Sequence, residues 1–128
     1  LRKKLPEKLK YFIKSVNVIT FAANQNLQFM LKHIVLMKSL EKDEVEKQMI
    51  LNSVSEELES LSETVTAIEN MEVGRNISSS DSAYDIALVI DFVDTEALNT
   101  YRIHPEHQRV LKYLKSQEIE IAVVDYNF

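Results

Sequence analysis

Cysteine is absent from this chain of 128 residues. Disulfides, thiol nucleophiles and thiolate metal sites are therefore excluded, and the composition suits a reducing cytoplasm. Glycine occurs once, at Gly74, so no glycine-rich phosphate loop or dinucleotide fingerprint can be built. No apolar run approaches the roughly 20 residues needed to cross a bilayer. There is no Gly-x-Ser-x-Gly elbow and no His-Glu-x-x-His helix. The aromatic residues do not alternate with basic ones, so there is no base-stacking platform for nucleic acid.

What remains is an ordinary globular composition, 45% hydrophobic and 27% charged, in a chain long enough for one domain with a real core. Its charge is unevenly placed. Residues 1–29 carry six Lys/Arg against one acid, a net +5, and residues 30–128 carry nine against nineteen, a net −10. An acidic main domain argues against nucleic acid as a partner. The basic stretch reads as an N-terminal extension: a short helix opened by Pro6 and Glu7, with Leu9, Phe12 and Ile13 on one face, then a β-prone Val16–Phe21 and a linker at Asn24–Asn26. Lys14 and Asn17 interrupt its apolar run, which makes a poor export signal. Strand patterning begins near Met30, where the compact domain of residues 30–128 is expected to start.

Within that domain Leu31–Lys38 alternates as a strand, with Leu31, His33, Val35 and Met37 on one face and Ile34 and Leu36 central on the other. Glu41–Leu61 reads as the long helix, with Val45, Met49, Val54, Leu58 and Leu61 as its apolar stripe and Asp43 or Ser39 as its cap. Its Glu56, Glu57, Glu59 and Glu63 are most simply a solvated side. A second strand is expected over Thr64–Asn76 and a third over Tyr84–Phe92. Asp94-Thr95-Glu96 signals a short helix through Leu98 and Tyr101, and Pro105 opens another that buries Val110, Leu111 and Leu114. Ile119–Tyr126 is the last strand.

The order β-α-β-β-α-β is the ferredoxin-like arrangement of the α+β class, an antiparallel sheet with helices on one face. Strands apolar on both faces leave the uncovered side in need of a partner. The simplest is a second copy, giving a twofold dimer whose sheets close into an α/β barrel.

The chemistry concentrates in Tyr101-Arg102-Ile103-His104-Pro105-Glu106-His107. Histidine titrates near neutrality, so a His/Tyr cluster suits acid–base work. His107 in the first turn of a helix is kept neutral by the helix dipole and suits a base, with Tyr101 as donor to a developing enolate. Each has a structural alternative: His107 bonded to a backbone carbonyl, Tyr101 in the core, and His104 as the cap of the helix that Pro105 opens. His33, on a strand face between Leu31 and Val35, reads as a satisfied core histidine as readily as a ligand contact. His104 and His107 at i, i+3 supply too few nitrogens for a metal, and neither a metal nor a cofactor is expected.

Residues 30–128 resemble the stress-responsive A/B barrel (Dabb) family. The resemblance is carried by Lys32-His33-Ile34-Val35-Leu36, by Tyr84-Asp85-Ile86-Ala87-Leu88, by the Tyr101–His107 stretch and by Ala122-Val123-Val124-Asp125-Tyr126. Residues 1–29 have no counterpart in it. The family implies a ferredoxin-like protomer and a homodimeric α/β barrel. One plant relative is a polyketide cyclase in which a histidine of the His-Pro motif and the tyrosine before it carry the reaction. Those positions fall here on His107 and Tyr101, and His33 resembles a histidine of the cyclase pocket. Where the cyclase has a third-strand pocket histidine this chain has Ile86. Where it has a pocket tyrosine on the long helix, Asn52, Ser53 and Ser55 lie. Candidate catalytic residues are thus His107 and Tyr101, with His33, His104, Tyr84 and Ile86 as candidate ligand contacts. Three functions compete: a dimeric small-molecule-binding or stress-response protein, a small enzyme on a carbonyl substrate using the His/Tyr pair, and a non-catalytic assembly module whose interior is filled by its own side chains.

Overall fold

The computed structural model describes residues 29–128 and, in the preceding stretch, Lys8 alone. Apart from Lys8, the expected helix, β-prone segment and linker lie outside the described residues. The elements run β1 (Leu31–Ser39), α1 (Glu44–Thr64), β2 (Asn70–Arg75), β3 (Ile86–Phe92), α2 (Thr95–Ile103), α3 (Pro105–Ser116) and β4 (Ile119–Asn127). The four strands form one sheet in the order β2-β3-β1-β4, antiparallel at every pairing. This is the ferredoxin-like order, with α1 and the α2–α3 pair as the two crossovers.

Alternation in β1 settles which face meets the helices. Leu31, His33, Val35, Met37 and Ser39 are buried, and the residues between them are not. In β3 Ile86, Leu88, Ile90 and Phe92 do the same. From the helices come Leu51, Val54, Leu58 and Leu61 of α1, Leu98 and Tyr101 of α2, and Val110 and Leu114 of α3. The opposite face carries Ile34, Leu36, Ala87, Val89, Ala122, Val124 and Tyr126. Leu36, Val124 and Tyr126 are exposed there, at 38%, 60% and 45%.

Local chemistry explains where the helices begin. Asp43 accepts the Glu46 N–H at 2.9 Å and Asp94 accepts the Ala97 N–H at 2.8 Å, each satisfying a donor the first turn leaves orphaned. His104 caps α3 in the same way, its Nδ1 accepting the Glu106 N–H at 3.1 Å with Pro105 at the first helical position.

Several expected boundaries and contacts are corrected. The long helix starts at Glu44 rather than Glu41 and runs on through Thr64. The second strand is accordingly confined to Asn70–Arg75. Val45 and Met49 are exposed, at 72% and 66%, and Leu51 takes their place in the buried stripe. At about 100° of rotation per residue, Val45 and Met49 point away from the face shared by Leu51, Val54, Leu58 and Leu61. Tyr84 and Asp85 lie outside the third strand: the Asp85 carboxylate accepts the Ser39 N–H at 2.8 Å and pairs with Lys47 at 3.3 Å. Leu111 is 38% exposed rather than buried.

Candidate functional site

A cavity of about 190 Å³ lies between the sheet and the helices α1 and α3. Val35, Met37 and Leu88 floor it, Leu58 and Leu61 of α1 wall one side, and Val110 and Leu114 of α3 the other. Ile121 and Val123 of β4 and Leu111 of α3 also line it, and all three are partly exposed, so its mouth opens between β4 and α3. The two helices are clamped across it by the Ser53 and Tyr113 hydroxyls, 2.6 Å apart, and by an Arg109–Glu57 ion pair at 2.8 Å.

Four polar side chains line this otherwise apolar space: His33, Tyr101, Arg102 and His107. Their rings touch. Tyr101 and His107 have centroids 4.2 Å apart, and Tyr101 and His33 have centroids 5.9 Å apart at 67°. Phe92 backs Tyr101 at 5.2 Å. The distances suit offset or edge-on aromatic packing, which fixes the rings against one another.

The end of α2 orients His107. The last carbonyls of a helix have no helical donor, and that of Arg102 is taken by side chains instead. His107 Nδ1 lies 3.0 Å from it and Gln108 Nε2 donates to it at 2.5 Å. A carbonyl can only accept, so His107 Nδ1 carries a proton, and in the neutral ring Nε2 holds a free lone pair. Burial pushes the His107 pKa below the ordinary histidine value. The bond to the Arg102 carbonyl opposes that shift, and the positive charge of Arg102 adds to it. The ring is thereby biased toward the neutral, proton-accepting form. Tyr101 is 2% exposed, and burial drives its pKa well above the ordinary phenol value, so its hydroxyl stays protonated. Tyr101 belongs to the buried core and also lines the cavity.

Two residues of the site were not singled out from the sequence. Asp125 stands opposite His33 in the β1–β4 register, and its Oδ1 lies 2.5 Å from His33 Nδ1. Its other oxygen accepts from Arg102 Nη2 at 3.0 Å. One carboxylate thus serves two basic groups, and it points His33 Nε2 away from the bond. Asp125 is in phase with Ile121 and Val123, and an acid in phase with helix-facing apolar residues is the signal that marks it. Arg102 gives no comparable signal.

The other candidates are elsewhere. His104 is committed to capping α3 and does not line the cavity. Tyr84 and Ile86 line a separate cleft of about 350 Å³ with Leu36 and Gly74. Ile86 is 2% exposed, and the residue that β3 presents to the first cavity is Leu88. Among the described residues no cluster of three or more His, Asp or Glu could hold a metal ion, and no helix is long and apolar enough to cross a membrane.

Comparison with known proteins sets this geometry in a family. The model of the stress responsive A/B barrel domain matches residues 31–128. A dimeric protein of unknown function with a ferredoxin-like fold from Bacteroides fragilis is 35% identical. The match covers 80% of this chain and 99% of that one, with a TM-score of 0.70. A dimeric ferredoxin-like protein of unknown function from Thermobifida fusca is 19% identical over 80% of this chain and 94% of its own, with a TM-score of 0.67. A hydroxynitrile lyase from Passiflora edulis shares the fold at 12% identity, covering 78% of this chain and 94% of its own, with a TM-score of 0.67. None of the curated proteins matches.

Proposed function

The chain belongs to the stress-responsive A/B barrel family, and from that premise we propose that it is a homodimeric binding protein for a small, largely apolar molecule. The ligand's polar end rests against Tyr101, His33 and His107. The observation that carries this reading is the convergence of those three groups on one apolar cavity open at β4. Apolar pockets with a few convergent polar groups are the usual form of a small-molecule site. Among the described residues no side chain fills the cavity, which weighs against an assembly module packed with its own side chains.

The dimer reading rests on the exposed apolar face of the sheet and on the dimeric state of the Bacteroides fragilis and Thermobifida fusca proteins. Ile34, Leu36, Val89, Val124 and Tyr126 would pack against the same face of a second copy across a twofold axis. Replacing Val124 by Asp places a charge in that contact, and light scattering should then report a monomer.

Val123, 52% exposed at the cavity mouth, gives the test of the binding reading. Val123→Trp closes the mouth with little change in stability, because the residue is not part of the core. Small phenols, aldehydes and keto compounds that raise the melting temperature of the wild type should fail to raise that of Val123→Trp. Equal shifts in both proteins would place the ligand elsewhere.

A second reading is supported by the His107 tautomer. A neutral imidazole with a bare Nε2, beside a phenol that stays protonated, suits removal of a proton from carbon next to a carbonyl. Nε2 takes the proton, and the electron pair left on carbon moves to the carbonyl oxygen, which accepts the Tyr101 hydroxyl as a donor. The Passiflora edulis lyase shows that the fold supports an enzyme, although a shared fold does not carry a reaction with it. Deuterium exchange at the α-carbon of a bound ketone, followed by NMR, should proceed in the wild type and stop in His107→Gln. Exchange at the same rate in both would remove His107 from the chemistry.

A further inference from the structure

We infer that the natural ligand of the cavity is an acid: a short apolar chain bearing one carboxylate, held by that carboxylate at the Arg102 end. The inference rests on the cavity being a binding site and names the chemical class it takes.

The lining residues carry the argument. Among the described residues every ionisable side chain that lines the cavity is basic or a neutral phenol, and no Asp or Glu is among them. That is notable in a domain where acids outnumber bases nineteen to nine. The domain's net negative charge acts from a distance and is screened within about 10 Å at moderate salt. Arg102 acts at contact.

Arg102 also has capacity left. Among the described residues its Nη2 donates to Asp125 at 3.0 Å and its Nη1 makes only a long bond of 3.4 Å to Asn99. A guanidinium has five N–H donors in a planar fork, so most remain for a second acceptor. Asp125, the carboxylate that pairs with Arg102, is divided between Arg102 and His33. Arginine faces carboxylates well because two parallel N–H donors match two oxygens. The guanidinium is half-exposed, so it turns toward a ligand without a large desolvation cost.

Size completes the class. A cavity of about 190 Å³ holds the equivalent of roughly six waters at about 30 Å³ each. That is room for a chain of about five or six carbons, with the acid group at the wall where Arg102, His33 and His107 meet. The remaining lining, from Met37 to Leu114, is aliphatic and offers such a chain no hydrogen bond.

Hexanoate and hexanamide make the test, because they match in shape and differ in charge. Titration calorimetry at neutral pH would compare both probes on the wild type, Arg102→Gln and Arg102→Lys. Hexanoate should bind the wild type about tenfold more tightly than hexanamide, the margin of a charge-assisted pair over a neutral one. The preference should fall to within about twofold in Arg102→Gln and return in part in Arg102→Lys. Equal binding of acid and amide by the wild type would overturn the inference. So would a tenfold preference that survives in Arg102→Gln. If hexanamide binds the wild type as tightly as hexanoate and Val123→Trp blocks both, the cavity remains a binding site and only the acid class fails. If neither probe binds, the binding reading fails and takes this inference with it.

Discussion

His33 and Asp125 are 92 residues apart in sequence, yet their side chains meet across the β1–β4 pair at 2.5 Å. The His33 side chain is almost fully buried and that of Asp125 is about one quarter exposed. A carboxylate accepts, so this bond places a proton on His33 Nδ1. Asp125→Asn can still approach but no longer forces that tautomer. We expect a loss of about 1–3 kcal/mol in urea unfolding. Nitrogen NMR should show the His33 tautomer become mixed. An unchanged tautomer would mean that the aromatic packing against Phe92 and Tyr101 orients the ring instead.

His107 makes stability depend on pH in a defined direction. Burial lowers its pKa in the folded chain, while the unfolded chain takes up the proton near the ordinary value of about 6.5. Between the folded and unfolded pKa values the unfolded state binds more protons, so stability rises with pH through that window and falls on acidification below about 6.5. Urea unfolding at several pH values should show a steeper acid loss for the wild type than for His107→Gln. Parallel slopes would place the titration elsewhere.

The cap at His104 separates structure from site. His104→Ala removes the acceptor of the Glu106 N–H and should cost about 0.5–2 kcal/mol, the usual value of an N-cap. His104→Asp should restore most of it. Ligand-induced melting shifts should persist in both, because His104 does not line the cavity.

Glu118, just past the end of α3, has φ of 53°, in the left-handed region where a side chain is strained. Glycine is the residue suited to that position after a helix. Glu118→Gly should therefore stabilise the fold by about 1 kcal/mol, read as a higher urea midpoint with an unchanged slope.

Much of the architecture is legible because it is written in local periods. The two-residue alternation of Leu31, His33, Val35 and Met37 names the face that is buried. Asp94 and Pro105 mark two helix starts through capping chemistry that needs no tertiary partner. The long helix is less legible. Val45 and Met49 are apolar and fit a loose spacing, but only the true helical rotation shows that they face solvent, and burial then selects Leu51. In the sequence Tyr84 and Ile86 alternate in phase with Leu88, and the register alone sends Leu88 to the cavity and Ile86 to a neighbouring cleft.

The amino-acid order by itself determined the strand and helix alternation, the two-faced strands, the His104 cap and the closeness of Tyr101 to His107. All of these depend on neighbours within a turn or a strand. The tertiary structure decided that β4 lies beside β1, and so that Asp125 reaches His33 and Arg102. It also decided that the Arg102 carbonyl, left open where α2 ends, sets the tautomer of His107. Those contacts depend on strand pairing and helix placement, which the burial of the whole core selects and no local pattern encodes.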